Sequence, residues 1–408
     1  MKKLFFRIFL IGIFLLPSAP SISIIFLLIS GIYASFQKEV FYFKDKWNIP
    51  FFFAGILLIL SCITNTVSAE SIYSFPYDIR LTWIGLFNWI PYFWSFWAFQ
   101  YFLKEYIQRK TFALVLLSGS VPILITGILQ YFFKISGPYS LFNGFLTWYM
   151  RPIIGYNGLT GIFSNANYAG TWLNIMLPFT IAILFKNGKS LFFKYSSFLF
   201  FGVVIICTFL TFSRNSWLSM CIGLFITFGF RSIKFIIPFI GVFFSTIYFF
   251  GTKVWVTELQ SFWSYKFKNF QSIENLASAI RVDIWNFAIT NIFKRPTWGW
   301  GSTAFSNMFE IERGSWMGHV HNLPLELAFR YGIPVCLIIF SAITFLLIKS
   351  LKEIRAKKSI LVYKFELAWW CATLLILSNQ MFDVQYYDLR IGLVFWILLG
   401  GLRNTLLR

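Results

Sequence analysis

Charge is what this 408-residue chain has least of. Only 12% of its residues are Asp, Glu, Lys or Arg, just 15 are acidic, and two are histidine. So little charge does not suit a water-soluble surface. Hydrophobic residues make up 58% of the chain, and they form apolar runs of membrane length from end to end. Cysteine is sparse as well. Cys62, Cys207, Cys221, Cys336 and Cys371 all fall in apolar segments without metal-ligand spacing, which argues against both disulfides and a zinc site. No internal repeat is visible, and nearly all charges lie at the ends of apolar runs, unlike a transporter built from two related halves with ionisable groups at mid-membrane.

What is present predicts an all-α polytopic membrane protein with about twelve transmembrane helices. The runs lie near residues 4–17, 20–36, 50–64, 82–103, 112–132, 166–185, 195–212, 215–230, 235–251, 332–349, 366–382 and 390–402. Together they make a single integral membrane domain over residues 1–408. The opening KKLFFRIFLIGIFLLPSAPS resembles a signal peptide, but the next apolar run starts at once, so we read it as a retained first helix. With the N-terminus cytoplasmic, 22 of the 35 Lys and Arg fall on the cytoplasmic side. Only five of the 15 acidic residues join them, namely Glu39, Asp45, Glu105, Glu353 and Glu366. This bias predicts a bacterial inner (plasma) membrane protein with both termini cytoplasmic. Most of the net charge of +20 sets topology; the partner it implies is a lipid bilayer, not nucleic acid.

One connection is far longer than the rest. Residues 252–325, between the ninth and tenth runs, are too polar to lie in lipid, and the topology makes them a long periplasmic loop. In SAIRVDIWNFAITNIF, Ile280, Ile284, Phe287 and Ile292 recur at roughly helical spacing, which predicts an amphipathic helix ending at Pro296. The GWG turn at Gly299 to Gly301 then reverses the chain, and a short helix around Phe305 to Ile311 leads to GSWMGHVHNLPLEL.

That segment holds the only two histidines, His319 and His321. Imidazole is the side chain that ordinarily changes protonation near neutral pH. Asn322 as a cap and Pro324 in the first turn place His321 at a helix N-terminus, whose positive end disfavours imidazolium and attracts phosphate. Three further places face the same side. Arg214 separates two apolar runs in LTFSRNSW; Arg281 lies on the amphipathic helix with Trp285 and Ala288; FDVQYYDLR brings Asp383, Asp388 and Arg390 to the mouth of the last helix. Two arginines, a histidine and a carboxylate on one face can bind pyrophosphate and deprotonate a hydroxyl. Each has a plainer reading: Arg214 snorkels to the interface, Arg281 is a solvated helix-face residue, His321 only neighbours a cap, and Asp388 and Arg390 pair with each other. Asn165 and Asn167 read as groups that satisfy backbone at a helix break, and Arg151 is an unassigned outer-face charge.

Taken in order, GIFSNANYAGTWLNIMLPF, LTFSRNSWLS, the Arg of AIRVDIW, PTWGWGSTAF and HNLPLELAFRYGIP resemble the O-antigen ligase superfamily, which includes Wzy-type O-antigen polymerases. The likeness covers roughly residues 150–345, with a weaker echo in YYDLRIGLVFWILLGG. It implies a fold of the C-type glycosyltransferase kind. The implied activity is a membrane glycosyltransferase that moves a glycan from undecaprenyl pyrophosphate to an acceptor glycolipid (lipid A core) or a growing glycan, without metal or other cofactor. By resemblance Arg214 and Arg281 match pyrophosphate-binding arginines and His321 the catalytic base; Asp388 matches loosely a C-terminal acidic position, with Arg390 and His319 accessory. Where the family's first loop motif reads NPN, this chain has Asn165-Ala166-Asn167. The alternatives are a polysaccharide polymerase, which shares this chemistry and differs in acceptor, and, in another class, a bicarbonate-like solute transporter.

Overall fold

The computed structural model describes residues 1–37, 41–69, 73, 77–154, 158–184, 190–234, 237, 241 and 276–407. The helices are α1 (Lys2–Leu15), α2 (Pro20–Ser35), α3 (Ile49–Val67), α4 (Ile79–Ile84), α5 (Ile90–Ala98), α6 (Tyr106–Gly119) and α7 (Val121–Phe132). A hairpin of β1 (Tyr139–Leu141) and β2 (Leu146–Trp148) follows, paired antiparallel with Tyr139 opposite Trp148. Then come α8 (Ala166–Leu184), α9 (Leu191–Leu210), α10 (Arg214–Phe228), α11 (Leu276–Lys294), α12 (Ala304–Arg313), α13 (Leu323–Tyr331), α14 (Ile333–Arg355), α15 (Ile360–Asn379) and α16 (Leu389–Asn404).

The chain is a mostly helical polytopic membrane protein. Among the described residues, five helical stretches are long and apolar enough to cross a membrane: α3, the α6–α7 stretch Tyr106–Phe132, α9, α14 and α15. One of the other predicted runs folds differently. Residues 82–103 form no continuous helix but α4, a 3₁₀ turn at Gly85–Asn88, α5 and a second 3₁₀ turn at Phe99–Phe102. Pro91, at the start of α5, has no N–H to carry a helix through. The predicted run at 235–251 and residues 252–275 of the long loop lie almost wholly outside the described residues.

α8 and α16 are apolar nearly all round and therefore take the centre of the bundle, where almost every side chain between Ala169 and Ile181 and between Arg390 and Leu402 is buried. The charges at one end of the bundle are tied down by a buried Arg109–Glu366 pair, whose Nε lies 3.2 Å from each carboxylate oxygen, and by Arg403 with Asp45. α15 carries the chain about 30 Å away from that end. The starts of α8, α10, α13 and α16 gather at the far end, around the turn that leaves α15.

A second apolar cluster lies at that far end. Ile284, Phe287, Ala288 and Ile292 of α11 meet Phe305 and Phe309 of α12, Val320 and Phe329. This bears out the apolar stripe read from the sequence on α11, apart from Ile280, whose side chain is not described. The GWG turn locks the layer to α13: Trp300 N–H donates to Phe329 O and Gly301 N–H to Arg330 O, each at 2.8 Å. Gly299 and Gly301 have φ of +64° and +83°, and a Cβ on Gly299 would lie 2.5 Å from the Arg330 carbonyl carbon. Only glycine meets both demands without strain.

Candidate functional site

The two histidines sit where the second cluster meets the bundle. Asn322 caps α13, its Oδ1 accepting from Leu325 N–H at 3.0 Å, with Pro324 in the first turn as the sequence indicates. Its Nδ2 donates to Met381 O at 3.0 Å, and Leu323 N–H donates to Gln380 O at 2.9 Å. These bonds clamp the start of α13 to the end of α15. His321, one residue before the cap, has φ of +56°. A left-handed backbone at a non-glycine residue costs on the order of 1–2 kcal/mol, and the clamp on either side of the turn holds it there.

The clamp brings the His321 ring to Asp383. Nδ1 lies 3.0 Å from Asp383 Oδ1, which also accepts Val384 N–H at 3.0 Å; Oδ2 accepts from Asn167 Nδ2 at 2.9 Å. Burial pushes the Asp383 carboxyl up. The hydrogen bonds from His321 and Asn167 and the neighbouring imidazoles outweigh it and hold the group below its ordinary value of 3.8. Asp383 is therefore a carboxylate at neutral pH, so in the neutral imidazole of His321 the shared proton sits on Nδ1 and Nε2 carries the lone pair. That is the tautomer a general base needs.

His319 packs edge-on to His321 with ring centroids 4.1 Å apart, and its Nδ1 accepts from His321 N–H at 3.3 Å. Burial, and then the His321 ring, push the His319 imidazole below its ordinary 6.5 despite the opposing pull of Glu326 and Asp383. His319, His321 and Asp383 each place one potential ligand atom within 4.8 Å of the others. Asp383 joins the two histidines from 62 residues beyond His321.

Both sequence-predicted arginines reach this place. Arg214 is the first residue of α10, behind the Ser213 cap, and is exposed. Next to it, Asn215 Nδ2 donates to Asn379 O at 2.9 Å, which ties the start of α10 to the turn that carries Asp383. Arg281, half-buried on α11, is lowered in pKa by burial and then by the Arg214 charge, with Asp383 acting in the opposite sense. The two guanidinium groups and the carboxylate thus lie within electrostatic range of one another. Four residues on, Trp285 Nε1 donates to Val320 O at 3.1 Å, fastening α11 to the backbone between the histidines.

The remaining sequence candidates divide. Asn165 Oδ1 accepts from Asn167 N–H at 2.7 Å at the start of α8, and it is Asn167 that touches Asp383. Asp388 and Arg390 do not reach the histidines. They pair with each other, Nε to Oδ1 at 2.9 Å, while Asp388 caps α16 and Arg390 lies over the Phe163 ring. The carboxylate at His321 is Asp383, not Asp388.

Glu326 and Arg330 were not singled out from the sequence, although their i, i+4 spacing on α13 is visible in LPLELAFRY. Glu326 is fully buried; it accepts Val320 N–H at 2.8 Å and the Tyr387 hydroxyl at 3.0 Å, and pairs with Arg330. Tyr387 in turn lies near-parallel to His319, centroids 5.8 Å apart. A buried acid therefore sets the height of the histidine loop.

Residues 198–340 match a family model described as O-antigen ligase. Arg214, Arg281 and His321 fall inside the matched stretch; Asn167 and Asp383 fall outside it. No curated protein matches the chain.

Proposed function

We propose that this chain, whose residues 198–340 match a family model described as O-antigen ligase, transfers a glycan from undecaprenyl pyrophosphate to the hydroxyl of an acceptor glycan, as a ligase. The observation that carries the reading is the His321–Asp383 hydrogen bond beside Arg214 and Arg281. An acceptor hydroxyl is a poor nucleophile until a base takes its proton. His321 Nε2 receives that proton as the acceptor oxygen bonds to the anomeric carbon. The bond from that carbon to the pyrophosphate oxygen breaks, and its electron pair leaves with the pyrophosphate. Attack opposite the leaving group inverts the anomeric centre. Asp383 stabilises the imidazolium that forms, and the guanidinium forks compensate the charge that develops on the leaving group.

The site faces the periplasm in this reading, opposite the lysine-rich ends, and the lipid tail of the donor lies between helices. Ser315 is exposed on the histidine side and Lys358 on the other, so an impermeant thiol reagent should label Ser315→Cys and miss Lys358→Cys in intact cells. The reverse pattern removes the site from the periplasm.

Arg→Lys variants at Arg214 and Arg281 test the clamp. A point charge loses the bidentate geometry, so each should lose at least about tenfold in transfer at equal protein level. Full activity in both, or transfer abolished by EDTA and restored by a divalent ion at His319, His321 and Asp383, would assign charge compensation to something other than the arginines.

The class of reaction is read from what accumulates when the gene is deleted. A finished lipid-linked polymer that never reaches its acceptor supports a ligase, single lipid-linked repeats support a polymerase, and no change in lipid-linked glycans overturns both.

A further inference from the structure

Beside the histidines, but on the other side of Tyr387, a cavity of about 290 Å³ opens between the β1–β2 hairpin and the start of α16. Aromatic rings form much of its wall: Phe145 and Tyr149 from the hairpin, Tyr168 from α8, and Tyr387. Asp388 and Arg390 also line it, together with Ser21, Thr147 and Ser164. Because Asp388 and Arg390 already neutralise each other, the cavity offers fixed donors and acceptors without net charge. This is the opposite of the Arg214–Arg281 pair, which presents two cations. Ring faces for C–H surfaces, together with neutral hydrogen-bonding groups, suit a hydroxylated ring.

The hairpin adds a second observation. At its turn Leu141 and Phe142 point outward, 58% and 77% exposed, and Tyr139 is half-exposed. Aromatic side chains such as Tyr139, beside exposed apolar ones at the end of a membrane bundle, are typical of the lipid headgroup level. A ligand under this hairpin is therefore held close to the bilayer surface, where the sugars next to a lipid anchor lie.

We propose that this cavity binds a neutral pyranose unit of the acceptor glycan and holds it beside the base. The inference rests on the glycan-transfer reading, which it extends by assigning the acceptor its own recognition residues. Tyr387 joins the two places: it lines the cavity, and its ring lies near-parallel to His319 with centroids 5.8 Å apart.

Two measurements test it, both on the full-length protein in detergent or membranes. In the first, transfer is followed at varied acceptor and varied donor concentration. Phe145→Ala and Tyr149→Ala should raise the acceptor KM about tenfold or more, leaving donor KM and kcat within about twofold, while Phe145→Tyr and Tyr149→Phe behave as wild type. In the second, isothermal titration uses the oligosaccharide released by mild acid from the producing cell's own outer-membrane glycolipid. Wild type should bind it, and the alanine variants should bind at least about tenfold more weakly. Binding that depends on Tyr149 without any transfer would sink the proposed reaction and leave the cavity as a sugar site. Transfer with unchanged acceptor KM and unchanged oligosaccharide binding in both alanine variants overturns the cavity. A rise confined to donor KM overturns the acceptor assignment.

Discussion

His321→Ala should lower glycan transfer by about 10²–10⁴-fold, the scale for losing a positioned general base. The ring makes one hydrogen bond to a side chain, through Nδ1 to Asp383, and it is partly open to solvent. Its removal therefore leaves the clamp between α13 and α15 standing, because that clamp runs through Asn322 and Leu323. Protein level and donor binding should change little. His319→Ala should cost less than about tenfold, since the change removes a ring neighbour and an acceptor for one backbone N–H but no proton acceptor from the reaction. Transfer assayed in membranes containing equal amounts of each variant decides the matter. Near wild-type activity in His321→Ala, or a dead His319→Ala, would mean that the base has been misassigned.

Asp383→Ala should come next, at roughly 10²–10³-fold, because it releases the His321 ring and removes the charge that stabilises imidazolium. Asp383→Asn is the more informative change. Its carbonyl can still accept from His321 Nδ1 and Val384 N–H, but its amide then faces Asn167 Nδ2, donor against donor. Asn167 must turn its own amide over to relieve that clash. If it does, the tautomer survives and only the charge is lost, so Asp383→Asn should be milder than Asp383→Ala by about tenfold. The double variant Asp383→Asn with Asn167→Ala, which has no opposing donor, should be no worse than Asp383→Asn alone. Equal rates in Asp383→Ala and wild type would leave His321 without the partner assigned to it.

Much of this site could be read from residue order, and the reasons are local. Asn322 and Pro324 announce the start of α13, the apolar stripe of α11 announces the helix that carries Arg281, and the glycines of the GWG turn announce the reversal between them. What failed was long-range. FDVQYYDLR offers two aspartates, and a loose match to the family's C-terminal acidic position points to Asp388. Asp388 has a local use, though, because an Asp two residues before an Arg at a helix start caps the helix and pairs with that Arg. Asp383 has no such use and is free to reach a residue 62 positions earlier, a distance no spacing rule covers. The run at 82–103 was misread for a related reason. Hydropathy registers how apolar a stretch is but not that Pro91 and the turn at Gly85–Asn88 break it, so one span was expected where two short helices and two 3₁₀ turns occur.

Among the described residues, the buried apolar side chains fall into two clusters, a large one inside the bundle and a small one under α11, α12 and α13. His321 stands at their junction, Arg281 belongs to the small layer, and Arg214, Asn167 and Asp383 belong to the bundle. A layer of this size can open as a cooperative unit before the rest of a protein does. Competence is then a property of assembly and not of either part. A detergent or temperature that loosens the small layer should abolish the proposed transfer while the spanning helices still give an intact helical spectrum.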